Sequence, residues 1–286
     1  MIKKRPPVLN ILLKLSRPGF WPYLAGPYLI AYTAVSNGPR DFKQLTFYYS
    51  LLFFLIPANI ILYGINDLYD QDTDALNPKK DSREMRVTSQ TQKTYTTSIG
   101  ISFLLSIPLF LYLPIFAKIL LFVFLLLCVF YSAKPFRLKA KPFVDSASNI
   151  LYGFPAFIAI FQLTNNKLTL PVFFAVLCWC AAMHLFSAIP DIEADAKAKL
   201  RTSATQLGYR WSLFACFILW LTAAVMAVIL SPWLFYIFVY PVIPLLLLRD
   251  KKMDIDKIYW YFVPLNLIIG FLLFITTVFL SPWITP

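Results

Sequence analysis

Two short acidic segments stand at the ends of long apolar runs: Asn66-Asp67-Leu68-Tyr69-Asp70-Gln71-Asp72-Thr73-Asp74 and Asp191-Ile192-Glu193-Ala194-Asp195. The chain has only 14 Asp and Glu in 286 residues, and half of them fall in these two segments. A carboxylate beside lipid is costly, so its presence asks for a function. Each segment runs into cations: Lys79, Lys80 and Arg83 after the first, Lys197, Lys199 and Arg201 after the second. Carboxylate oxygens suit a hard divalent cation, and Lys and Arg suit phosphate oxygens, so the combination points to a metal–diphosphate site. On a helix, Asp67, Asp70 and Asp74 share one face at i, i+3 and i+7, and Asp191 and Asp195 share another at i and i+4. Asp72 points elsewhere. The rival reading for either segment alone is a solvated, loop-capping cluster. Two such segments at corresponding places in the chain weigh against it.

The elements that must position these residues are membrane spans. Hydrophobic residues make up 59% of the chain, against about 45–50% in a soluble domain. With about 20 apolar residues per crossing, nine spans are expected, at roughly 20–36, 46–65, 96–115, 117–133, 146–163, 170–190, 212–230, 232–248 and 259–282. Two tight connections leave the count at eight or nine. The expected fold is an all-α integral membrane domain. Acidic segments follow spans 2 and 6, and basic stretches follow spans 4 and 8. This spacing predicts two similar helical bundles, about 1–142 and 143–286, around a central cavity. The segment from Val8 to Leu15, interrupted by Asn10 and Lys14, reads as an interfacial helix rather than the core of a cleavable leader.

Charge orients the chain. With nine spans, 22 of the 26 Lys and Arg lie on the face that holds the N-terminus and the loops after spans 2, 4, 6 and 8; only Arg40, Lys43, Lys118 and Lys167 lie opposite. That face is expected to be cytoplasmic, in an inner or plasma membrane. The net charge of +12 is thereby spent on topology and on the site, so nucleic acid is not an expected partner. Cys128, Cys178, Cys180 and Cys216 all fall inside apolar runs and read as packing residues.

Single residues add detail. Asp145 opens span 5, where it could be a helix cap, and Asn149 is one turn on. His184, the sole histidine, lacks the partners for a zinc site; it is a candidate cavity residue or a hydrogen-bonded bundle position. Tyr63, Tyr69, Tyr131 and Tyr152 lie near motif ends and read first as packing or interfacial-belt residues.

Taken in order, Asn66/Asp67/Asp70/Asp74 and then Asp191/Asp195 resemble the UbiA superfamily of intramembrane prenyltransferases. Further matches are Arg17-Pro18, the Tyr131-Ser132-Ala133-Lys134-Pro135 stretch with Arg137 and Lys139, and Arg201-Thr202-Ser203-Ala204-Thr205 with Gly208. Within it, the stretches from Phe53 to Asp67, Asp74 to Lys80 and Arg137 to Asp145 look like the branch that prenylates carotenoids. The resemblance implies that Mg²⁺ is the cofactor, held by Asp67, Asp70, Asp74, Asp191 and Asp195, with Asp67, Asp70, Asp191 and Asp195 catalytic. Asn66, Lys134, Arg137 and Arg201 would bind the diphosphate, and Tyr131, Asp145, Asn149 and His184 would line the cavity. The implied partners are a prenyl diphosphate donor, a lipophilic acceptor taken from the bilayer, and membrane lipid. The acceptor would be an acyclic carotenoid such as lycopene. Alternatives are an aromatic acceptor on the way to quinone or haem, and an ion-coupled transporter. A transporter predicts carboxylates near mid-membrane and little need for interfacial cations. A phospholipid head-group transferase is disfavoured because its D-G-x-x-A-R signature is absent.

Overall fold

Long runs of Leu, Phe, Ile and Val in lipid must satisfy their backbone groups internally, and helices do so. The computed structural model describes residues 7–71, 87–164, 168–250 and 253–281, and every regular element among them is helical. Helix α1 (Val8–Ser16) is short and two-faced: Ile11 and Leu15 are buried while Val8, Leu9 and Leu13 are exposed. It ends at Arg17, whose backbone is left-handed (φ 49°). A 3₁₀ turn, Pro18–Phe20, leads into α2 (Trp21–Val35). The next span is broken into α3 (Leu45–Leu55) and α4 (Pro57–Tyr69). The break falls at Ile56 because Pro57 has no N–H to donate to the preceding turn.

Helix α5 (Gln92–Leu104) and α6 (Ile107–Tyr112) form a second broken span, followed by α7 (Ile115–Phe130). The fifth span combines α8 (Val144–Ser148), a 3₁₀ segment Asn149–Gly153 and α9 (Phe154–Leu163). Helix α10 (Leu170–Ala188) passes through a 3₁₀ turn, Ile189–Asp191, into α11 (Ile192–Lys197). The last three spans are α12 (Ser203–Leu230), the 3₁₀ segment Pro232–Phe238 with α13 (Val239–Arg249), and α14 (Ile255–Leu280). Seven of these segments are long and apolar enough to cross a membrane; α7, at 16 residues, and α2, at 15, are shorter. The nine apolar segments expected from the sequence all have a helical counterpart, but their ends differ where proline intervenes. The run expected to stop near residue 65 continues as helix to Tyr69, so Asn66 and Asp67 ride on its last turn. Pro190 tightens the end of the sixth span, so Asp191 caps a short separate helix.

The interior divides into two apolar clusters. The first draws on residues from Ile11 to Ala159 and is rich in rings, with Tyr28, Tyr32, Phe47 and Phe54 in mutual contact. Helix α9 packs on α2 and α7, so this cluster reaches past residue 142. The second, from Ala182 to Ile269, centres on buried Trp220, stacked on Phe262 with ring centroids 5.4 Å apart. Outside, large side chains such as Leu111, Phe122 and Phe271 are exposed, as expected of a surface that meets acyl chains. Inside the first cluster, Tyr28 and Ser50 both donate to the Gln162 amide oxygen, a polar tie between three spans.

Candidate active site

The first acidic segment is built by the end of α4. One helical turn separates Asp67 from Asp70, which terminates the helix and donates its N–H to the Asn66 carbonyl at 3.0 Å. Both carboxylates are buried, with 6% and 7% of the residue exposed. Each faces a cation from elsewhere in the chain. Arg17 Nη2 donates to Asp67 Oδ1 at 2.7 Å, and its guanidinium lies 4.4 Å from the centre of the Tyr63 ring. Lys139 Nζ forms an ion pair with Asp70 and also donates to Asn66 Oδ1 at 2.9 Å; Ser132 Oγ donates to that same Asn66 oxygen at 2.8 Å. Arg137 Nη2 lies 3.7 Å from Asp70 Oδ1.

Local backbone geometry explains how these cations arrive. Gly64 on α4 lies against Leu15 of α1 and Ile99 of α5; a Cβ there would come within 2.9 Å of Ile99 Cγ1. That close approach holds α1, and therefore Arg17, beside Asp67. After α7 the chain curls back on itself. The Arg137 N–H bonds to the Ala133 carbonyl at 2.8 Å, and the Lys139 N–H bonds to the Tyr131 carbonyl at 3.1 Å. Arg137, like Arg17, takes a left-handed backbone (φ 37°). Such a conformation in a side-chain-bearing residue costs about 1–3 kcal/mol and needs surrounding support.

The second acidic segment is differently equipped. Asp191 and Asp195 are half-buried at the start of α11, and Asp195 feels the like charges of Asp191 and of Asp145. Asp145 itself is fully buried and ties the start of the fifth span to the start of α12. It accepts hydrogen bonds from the Ser203 N–H at 2.7 Å, from the Ser203 hydroxyl, and from the Ser146 N–H at 2.7 Å. The Arg201–Thr205 motif thus has a structural task. Thr202 and Thr205 form a reciprocal cap on α12, in which the Thr205 N–H donates to Thr202 Oγ1 and the Thr202 N–H to Thr205 Oγ1. Ser203, between them, anchors Asp145.

A cavity of about 640 Å³ is lined by Arg17, the partner of Asp67, and by Tyr63, one turn before Asp67 on α4. Nine of its nineteen lining residues are aromatic, among them Phe20, Tyr23, Trp179 and Trp260. Arg17 and Tyr63 carry the first segment's wall into it, and Tyr131, Asn149, Tyr152 and His184 form the inner side. Tyr63 and Tyr152 join hydroxyl to hydroxyl at 2.9 Å. Asn149 donates to the Cys180 carbonyl at 3.1 Å, which ties α10 to the cavity floor.

The structure brings Asn66, Asp67, Asp70 and Arg137 into one cluster, with Tyr131, Asn149 and His184 on the cavity wall. Lys134 and Arg201 are exposed. Asp74 lies outside the described residues. Arg17 and Lys139 are the contributors that pattern alone did not single out. Their motifs are visible in the sequence, but the contact of Arg17 depends on the packing of α1, and that of Lys139 on the curl after α7. The four cysteines are buried and unpaired with one another.

The donor set suits a hard cation that arrives with its own oxygens. Among the described residues no group of three His, Cys, Asp or Glu forms an all-protein cage. Two carboxylates one turn apart fit a cation that completes its shell with phosphate oxygens and water. Arg17, Arg137 and Lys139 stand where such phosphates would need donors, and Arg137 Nε is buried without a hydrogen-bond partner among the described residues.

Residues 19–257 match the UbiA prenyltransferase family. The chain is 38% identical to a lycopene elongase/hydratase of Haloferax volcanii, covering 93% of this chain and 87% of the relative. It is 37% identical to one of Halobacterium salinarum, covering 92% and 95%. A UbiA homologue from Archaeoglobus fulgidus, solved bound to GPP and Mg²⁺, superposes with a TM-score of 0.65 at 20% identity, over 92% of this chain and 99% of the other.

Proposed function

Because this chain belongs to the UbiA prenyltransferase family, we propose that it transfers an allylic prenyl group from a prenyl diphosphate to the end of an acyclic carotenoid such as lycopene, forming a C–C bond with Mg²⁺ as cofactor. The acceptor class rests on the lycopene elongase/hydratase relatives. The observation that carries the chemistry is the buried Asp67/Asp70 pair with Arg17, Arg137 and Lys139 gathered around it. In this reading Asp67, Asp70, Asp74, Asp191 and Asp195 hold Mg²⁺ and the diphosphate bound to it, and Asn66 and the cations bind phosphate oxygens. Bound Mg²⁺ would neutralise charge on the departing diphosphate. Arg17, Arg137 and Lys139 favour ionisation for the same reason: they sit preorganised, in a partly desolvated site, where negative charge grows. Lys134 and Arg201, on the exposed rim, would guide the donor inward.

The aromatic wall serves the other half of the ionised pair. An allylic cation is stabilised by ring faces, and Tyr63, Tyr131 and Tyr152 line the cavity. In this reading the two halves, about 1–142 and 143–286, would each bring one acidic segment to the donor. The site and the N-terminus face the cytoplasm, a reading supported by the distribution of Lys and Arg; a reporter fused at the N-terminus tests it.

Expression in cells that accumulate lycopene, followed by mass analysis of the pigments, tests the function. Products heavier by one or two five-carbon units are expected, with or without added water. Unchanged lycopene, alongside diphosphate release with an aromatic acceptor, would move the acceptor to a quinone or haem precursor.

A further inference from the structure

Joining a prenyl cation to an alkene end leaves a new tertiary cation on the acceptor. It must be discharged either by loss of a C–H proton or by capture of water. Either route needs a proton acceptor within reach of that cation. Most of the cavity wall is aromatic or apolar, and besides Lys14 and Arg17 it is interrupted by Tyr131, Asn149, His184 and Ser187. Two of these four are engaged elsewhere, which leaves one path open. Asn149 spends its N–H₂ on the Cys180 carbonyl, and Ser187 donates its hydroxyl to the His184 carbonyl at 2.7 Å. Tyr131 Oη lies 3.4 Å from His184 Nδ1, and His184 Nε2 lies 3.9 Å from Asp145 Oδ2.

The Asp145 carboxylate, 3.9 Å from Nε2, favours one histidine tautomer. With an acceptor on the Nε2 side, the ring proton belongs on Nε2, which leaves Nδ1 as an acceptor for the Tyr131 hydroxyl. Asp145 is itself immobilised by Ser203 and Ser146, so the direction of the line is fixed by the fold. It runs from the cavity to a fully buried carboxylate at the start of the fifth span.

We propose that Tyr131, His184 and Asp145 form a proton relay that activates water for addition to the acceptor cation, a residue assignment for the hydration step that the names of the elongase/hydratase relatives imply. The proposal rests on the prenyl-transfer reading above. The water oxygen bonds to the tertiary carbon and its O–H bond breaks. The released proton passes to Tyr131 Oη as the tyrosine's own proton moves to His184 Nδ1. The imidazolium formed is balanced by Asp145. Carbon, oxygen and charge are conserved: a cation and a water become an alcohol and a protonated histidine. Tyr131 is the catalytic residue in this step; His184 and Asp145 act through it. The His184 ring faces Tyr131 from the end of the fourth span and Asp145 from the start of the fifth. Asp70 and Asp195 are the other carboxylates whose charge reaches this line, through Tyr131 and Asp145 respectively.

The test is the product ratio of the full-length protein in lycopene-accumulating cells, with Tyr131→Phe and His184→Phe compared with the unchanged chain. Elongated products with and without water separate by mass. The relay predicts that the hydrated share falls at least tenfold in both variants, whatever happens to total turnover, because the cation then collapses by losing a C–H proton. A merely structural role would lower both products together and leave the ratio alone. An unchanged ratio in both variants would overturn the relay, as would an unchanged chain that elongates but never hydrates; in both cases prenyl transfer still stands. An unchanged chain that makes no elongated carotenoid would remove both readings.

Discussion

The two acidic segments look alike in sequence and differ in how the fold holds them. At the end of α4, Asp67 and Asp70 are almost fully buried, and each is matched by a cation from another part of the chain. At the start of α11, Asp191 and Asp195 are half-buried, and the charges acting on Asp195 are like charges. The first segment is therefore part of the folded framework as well as of the proposed site, whereas the second is more open to solvent. In the proposed reading, the first segment would meet the diphosphate with its cations already in place, and Asp191 and Asp195 would join it around the metal.

Four substitutions or conditions would break or sharpen that contrast. The largest effect is expected at Asp67→Ala or Asp70→Ala. Turnover should fall by about 10³-fold or more, the scale of losing a main electrostatic stabiliser. Stability should fall too, by about 3 kcal/mol, because a buried cation loses its partner. Thermal unfolding in detergent measures the second effect, and an unchanged Tm would mean that the pairs do not support the fold. Removal of divalent metal should abolish turnover reversibly, with Mg²⁺ restoring it; the unfolding temperature should rise on adding Mg²⁺ with donor.

Asp195→Asn separates the two segments. Activity should drop by roughly 10²-fold as a charge facing the metal is lost. Stability should stay within about 0.5 kcal/mol of the parent, because a like-charge contact is relieved. A loss of stability as large as that at Asp67 would erase the distinction. The smallest effect is expected at Lys139→Met compared with Lys134→Met. The first should raise the donor KM by about tenfold, the scale of one charge-assisted hydrogen bond. The second should change it by less than about threefold, since an exposed cation is worth at most about 1 kcal/mol.

Much of this was legible in the sequence because the decisive signals are short-range. Apolar runs set the helices, and the i, i+3 spacing of Asp67 and Asp70 set their shared face. The assembly of the cations was not legible. Lys134 lies nearest to α7 in the chain, yet it is Lys139 that turns back to Asn66, through the backbone bond from Lys139 to Tyr131. Arg17 precedes Asp67 by fifty residues, and only the close packing at Gly64 brings them together. The stretch from Arg201 to Thr205 shows the reverse case. Its wording carried the family resemblance, while Thr202, Ser203 and Thr205 serve as a helix cap and as the anchor for Asp145.

The central claim is metal-dependent prenyl transfer at the Asp67/Asp70 cluster. Its most direct test is purified protein given dimethylallyl diphosphate and lycopene, with and without Mg²⁺, reading diphosphate and elongated carotenoid together. The account predicts that both appear in step, only with Mg²⁺, and that both vanish in Asp70→Ala. Turnover that persists without metal, or that survives Asp70→Ala at the parent rate, would contradict it.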